Sequence, residues 1–129
     1  GFYKEKLISI KKAGKSGAEE IQAMLKKLRE TPPVTLGGSA VTCVKDYLTS
    51  ISKDMTKGTS EAIDLPSSNV LQFYTADGSI VSARPSGTEP KIKFYCSVNG
   101  ALAKKEDFYT VEADLNKKLD QILTDLGAK

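Results

Sequence analysis

The sequence predicts an α+β domain: one antiparallel sheet of about four strands with flanking helices packed on one of its faces. Three observations carry that expectation. Apolar residues recur at helical spacing near both ends of the chain, they alternate with the strand period between residues 69 and 98, and Pro, Gly and Asp-Gly signals separate the alternating runs. The length agrees, since 129 residues make one ordinary domain, too short for two cores and a linker. With 40% apolar and 27% charged residues, the composition excludes disordered and collagen-like chains.

Taken in order, Phe2 to Lys12 places Tyr3, Leu7 and Ile10 at helical spacing and ends before Gly14, which predicts a short first helix. Gly1 reads as a cloning remnant. Ser16-Gly17-Ala18-Glu19 has the form of a capping box, with the Ser16 hydroxyl serving an unpaired N–H and Glu19 reaching back to the cap. Behind it Ile21, Met24, Leu25 and Leu28 form one stripe and Pro32-Pro33 stop the run, so residues 17–30 are predicted helical. Ala40 to Tyr47 is β-rich. Ser50 to Ser68 has few apolar anchors and reads as a long exposed loop, with at most a short turn near Ile63. Asn69 to Tyr74 alternates Leu71 and Phe73 with Gln72 and Tyr74. Ala76-Asp77-Gly78-Ser79 then supplies a hairpin turn, and Ile80 to Ala83 the returning strand. The cleanest alternation follows, with Ile92, Phe94, Cys96 and Val98 on a core face and Lys91, Lys93, Tyr95 and Ser97 on a presented one. From Lys105 to Leu126 the residues Phe108, Val111, Leu115, Leu119, Ile122 and Leu126 form a stripe that Gly127 is placed to end, predicting a long helix over the sheet.

Composition narrows the chemistry. The chain has no histidine, which removes Ser-His-Asp triads, imidazole bases and histidine metal sites. The net charge of +3 is below that of a dedicated nucleic-acid binder. Cys43 and Cys96 lie far apart, each in an apolar run, and read as buried reduced thiols. Lys4, Glu5 and Lys6 interrupt the first apolar run, no stretch reaches the roughly 18 residues of a membrane span, and a cytoplasmic setting is expected.

The loop Arg84-Pro85-Ser86-Gly87-Thr88-Glu89-Pro90-Lys91 concentrates groups that suit a phosphate. A phosphate dianion needs several converging N–H and O–H donors and cationic charge against its desolvation. Arg84 offers a planar fork, Ser86 and Thr88 offer hydroxyls, and Gly87 permits the backbone angles of an anion-binding nest. Lys93 adds a point charge from the next strand. It is not a P-loop, because the Gly-x-x-x-x-Gly-Lys-Ser/Thr spacing is absent. Glu89 lacks a paired carboxylate and reads as a hydrogen-bond acceptor within its own loop or from a sugar hydroxyl.

The run from Arg84 to Tyr95 resembles the phosphate-binding loop in the C-terminal domain of the α-D-phosphohexomutases, of the phosphoglucomutase and phosphomannomutase type. The likeness extends to Tyr3–Lys12, Gly14–Pro33, Asp46-Tyr47-Leu48 and Leu65 to Leu71, so it covers nearly the whole chain. It implies a TATA-box-binding-protein-like sheet and helices. It also implies that Arg84, Ser86, Gly87, Thr88 and Lys93 hold the substrate phosphate that is not being transferred. In that family a phosphoserine donates a phosphoryl group between the 1 and 6 positions of a hexose through a bisphosphate, assisted by magnesium. The family's Thr-x-Ser-His-Asn-Pro, Asp-Gly-Asp-x-Asp-Arg and Gly-Glu-Glu loops are absent from the chain. The resemblance therefore implies an excised C-terminal domain, residues 1–129, silent by itself. It would carry no catalytic or metal residue and have a phosphosugar and the remaining mutase domains as partners, without nucleic acid or membrane. Two other readings compete. A nucleic-acid-binding module would use the Lys91, Lys93 and Tyr95 face, although aromatic residues make up only 7% of the chain. A purely structural domain would leave the Arg-x-Ser-Gly-Thr loop unexplained.

Overall fold

The computed structural model describes residues 2–86, 89–100 and 108–127. The elements in chain order are β1 (Phe2–Lys11), α1 (Gly17–Glu30), β2 (Thr35–Leu36), β3 (Ser39–Asp46), β4 (Ile51–Asp54), β5 (Thr59–Ala62), β6 (Leu71–Thr75), β7 (Ile80–Pro85), β8 (Lys91–Gly100) and α2 (Phe108–Asp125). The sheet runs β1-β8-β7-β6-β3-β4-β5, with β2 paired to β3, and each of these pairs is antiparallel. The α+β class and the antiparallel sheet with its helices are as expected. The sheet has eight strands among the described residues, against the four or so expected.

Besides the two-residue β2 paired to β3, the surplus has two sources. Phe2 to Lys11 is a strand, where a helix was expected, and it pairs along its whole length with β8, from Phe2 opposite Gly100 to Lys11 opposite Lys91. Ile8 and Ile10 alternate toward the core while Leu7 points away, and a ten-residue open edge on β8 outweighs a short, weak helical pattern. The expected loop over 50–68 contains the hairpin β4–β5. All four residues of β5 are exposed, so no apolar alternation marks it in the sequence. Its turn is built by the Asp54 carboxylate, which accepts from Thr56 N at 2.9 Å, Thr56 Oγ1 at 2.6 Å and Lys57 N at 3.1 Å. Those bonds, the Thr56 side chain's first, hold the Asp54 carboxyl below its ordinary range.

Both helices lie on one face of the sheet. Ile21, Leu25 and Leu28 of α1 and Leu119 and Ile122 of α2, with Leu126 just beyond it, join Phe73, Val81, Ile92, Phe94, Cys96 and Val98 in one buried cluster. Each such side chain contributes about 1.5–3 kcal/mol relative to exposure. The first residues of the predicted C-terminal helix, 105–107, and the side chains of Phe108, Val111 and Leu115 lie outside the described residues. Gly127, at φ +77°, ends α2 as expected.

The Ser16 capping box does not form. Ser16 has near-helical angles, φ −88° and ψ −1°, and its side chain makes no cap bond; a side-chain cap needs extended angles at that position. The turn is instead held by the main chain, with Gly17 N donating to Gly14 O at 3.2 Å and Glu20 N to Ser16 O at 2.9 Å. At the other end of α1, Arg29 donates to Asp46 Oδ2 and Asn69 Oδ1, each at 2.9 Å, which compensates a buried carboxylate and ties helix to sheet. Across the molecule Gly37 N donates to Asp125 Oδ2 at 3.0 Å, and Lys118 pairs with Asp77, its ammonium pKa lowered by burial.

Candidate functional site

With both helices on one side, the other sheet face is left open among the described residues, and register decides which side chains share it. Val81 and Ala83 of β7 are buried, so Ile80, Ser82 and Arg84 point the other way. On β8, Ile92, Phe94, Cys96 and Val98 are buried, and Lys91, Lys93 and Tyr95 are not, as the alternation predicts. Arg84 stands directly opposite Lys93, and Lys91 opposite Lys11. Like charges opposed across strands are unfavourable by themselves. Among the described residues no carboxylate forms an ion pair with Arg84, Lys91 or Lys93. An unneutralised cationic cluster of this kind is what an anion would stabilise.

These residues line one open cleft of ≈ 440 Å³, formed by Arg84, Pro85, Ser86, Glu89, Lys91, Lys93 and Tyr95. Three of the five predicted site residues, Arg84, Ser86 and Lys93, are thus brought together. Gly87 and Thr88 lie outside the described residues. The predicted set lacked Lys91 and Tyr95, although both share Lys93's face by the period of two and so were available from the pattern.

The loop is closed by its own main chain. Ser86 N donates to Lys91 O at 3.0 Å and Lys91 N to Glu89 O at 2.8 Å, while Glu89 N donates to Ser86 Oγ at 3.2 Å. The Ser86 N–H is therefore engaged within the loop. Glu89's bonds there are main-chain bonds, and its side chain, expected to accept either within the loop or from a sugar hydroxyl, is exposed at the cleft. The base of the loop rests on the segment that joins β1 to α1, with Lys12 N donating to Pro90 O at 2.9 Å. Gly17 makes that approach possible: a Cβ there would lie 2.5 Å from Lys12 O and 3.2 Å from Pro90 Cβ. Gly17→Ala is expected to cost about 1–3 kcal/mol in chemical denaturation despite alanine's better helix propensity, because a main-chain atom must move. Unchanged stability would show that the contact is slack.

Further along the open face, Tyr47 and Tyr74 both donate to Gln72 Oε1, at 2.6 and 3.0 Å, and Gln72 Nε2 donates to Ser82 Oγ at 3.1 Å. Burial, and then the neighbouring Tyr74, push the Tyr47 hydroxyl above its ordinary range. Cys43 lies on this face opposite Tyr74, while Cys96 is on the core face, so the sheet separates the two thiols and both are free. Burial pushes the Cys96 thiol up to about 11. Among the described residues no helix is long and apolar enough to cross a membrane.

Comparison with known proteins gives a consistent result. A family profile described as "Phosphoglucomutase/phosphomannomutase, C-terminal domain" matches residues 8–106. A phosphoglucomutase of Staphylococcus haemolyticus is 40% identical over 99 residues, covering 77% of this chain and 18% of that protein. One of Staphylococcus aureus strain MRSA252 is 36% identical over 116 residues, covering 90% of this chain and 20% of that protein. The chain thus spans about a fifth of the length of these relatives. The matched stretch contains the cleft, its loop and α1, and on that ground the chain belongs to the phosphoglucomutase/phosphomannomutase C-terminal domain family.

Proposed function

We propose that this domain grips the phosphate of a hexose phosphate that is not being transferred. The reaction would move a phosphoryl group between the sugar's 1 and 6 positions through a bisphosphate, and the donor phosphoserine would lie on another domain of the same protein. The observation that carries this reading is the convergence of Arg84, Ser86, Lys91 and Lys93 on one compact cleft. On this reading Gly87 and Thr88 supply further N–H and O–H donors, because the Ser86 N–H is engaged within the loop. Such a clamp provides orientation and binding energy remote from the reacting bond, which is where phosphoryl transfer gains most.

Among the described residues no three carboxylate or cysteine side chains gather to hold a metal ion. No step here is routed through magnesium, which on this reading belongs to the other domains along with the sugar-discriminating contacts. The chain itself is expected to show no mutase turnover with or without magnesium; measurable turnover would sink this division of labour. Free thiols and the proposed phosphosugar substrate support a cytoplasmic setting.

Amide chemical shifts provide the direct test. Titration with inorganic phosphate or glucose 6-phosphate is expected to move the Gly87 and Thr88 signals, and no movement at saturating millimolar ligand would remove the clamp. The nucleic-acid reading has the basic β8 face in its favour, but those lysines border a compact cleft rather than an extended track. Micromolar oligonucleotide affinity at physiological salt, falling steeply as salt rises, would favour that reading instead.

A further inference from the structure

We propose that Tyr95 and Leu7 form an apolar shelf for the C–H face of the hexose ring, with Ser82 beside it donating a hydrogen bond to a ring hydroxyl. This rests on the phosphate reading above and extends it from the phosphate to the sugar. Tyr95 lines the cationic cleft and also a second, more apolar hollow of ≈ 510 Å³ that continues along the open face and includes Leu7, Ile80 and Ser82. Leu7 and Tyr95 are 53% and 43% exposed, and among the described residues no helix covers that face. Large apolar side chains left uncovered beside a charged cleft suit a ligand with one anionic end and one weakly apolar face.

Register supplies the spacing. Ser9, Lys93 and Arg84 form one row across β1, β8 and β7, and Leu7, Tyr95 and Ser82 form the next row on the same face. The rows are two residues apart, about 6.6 Å along a strand, comparable with the reach from an ester phosphorus to the centre of the sugar ring it is attached to. Ser82 is pre-oriented. The two tyrosine hydroxyls engage Gln72 Oε1, which turns Gln72 Nε2 toward Ser82 Oγ; the serine oxygen accepts that bond, and its own proton is left to donate. An aromatic face reads ring shape more than hydroxyl pattern, so the shelf would hold glucose and mannose phosphates alike.

The test compares glucose 6-phosphate with glycerol 3-phosphate, an ester of like charge without a ring, and with inorganic phosphate, by amide titration of the 129-residue chain. Glucose 6-phosphate is expected to bind about fivefold tighter than glycerol 3-phosphate. Tyr95→Ala should bring that ratio close to one, and Tyr95→Phe should retain it; an unperturbed spectrum away from the cleft confirms that each variant is folded. A ratio of one in the wild-type chain, or a ratio that survives Tyr95→Ala, overturns the shelf while the phosphate clamp stands. A dimer that Tyr95→Ala dissociates without changing the ratio also overturns it, assigning the face to a second copy. Failure of the wild-type chain to respond to inorganic phosphate instead removes the clamp, and the shelf with it.

Discussion

Replacing Arg84 with alanine is expected to weaken binding of inorganic phosphate about 10- to 100-fold at low ionic strength, the loss read from the amide titration midpoint. Arg84 is the planar donor fork of the cleft, and it faces Lys93 across the β7–β8 pair without a carboxylate to neutralise either. Removing it relieves the repulsion within the empty site and, on the proposed clamp, deletes a charge-assisted pair of bonds from the occupied one, so both effects reduce affinity. Arg84→Lys should recover only part of the loss, because an ammonium keeps the charge and not the bidentate geometry. The side chain is exposed, so the difference should shrink as salt rises. An Arg84→Ala chain that binds phosphate as well as the wild type would place the anion site elsewhere.

Phe94→Ala should have the largest effect on stability, about 3–5 kcal/mol in chemical denaturation, a large share of the total for a domain of this size. Phe94 is fully buried at the centre of the helix-covered face, opposite Ile8 on one side and Ala83 on the other. Its neighbour Tyr95 points to the open face, and Tyr95→Ala should change stability by no more than about 0.5 kcal/mol. The contrast between adjacent residues tests whether the sheet is covered on one side only. Equal destabilisation by both would mean that the open face is packed as tightly as the core.

Much of the site was legible before the fold. The alternation from Lys91 to Val98 is strong because one face is wholly buried, and it correctly separated Phe94 from Lys93 and Tyr95. The helix over 17–30 was equally plain, with a four-residue apolar stripe and two prolines to stop it. Two of the missed strands, β1 and β5, share a cause. β1 and β5 are the two edges of the sheet, paired on one side only, and an edge strand is stabilised chiefly by main-chain bonds to its neighbour, which leave little trace in side-chain pattern. The Ser16 cap failed for a related reason: the sequence offers the hydroxyl, but the angle at that residue is decided by how the chain leaves Gly14 to seat α1 against Pro90.

By itself, then, the sequence determined the α+β class, the core stripe of each helix, the two-faced character of β8 and the donor-rich loop, because each is carried by residues close together in the chain. Tertiary structure alone decided that Phe2–Lys11 is a strand, that the presented face of β8 meets Arg84 at one cleft, and that Leu7 and Tyr95 lie one row beyond Arg84 and Lys93. Those are consequences of register between distant segments. A shift of one residue in that register would turn every one of these side chains to the opposite face.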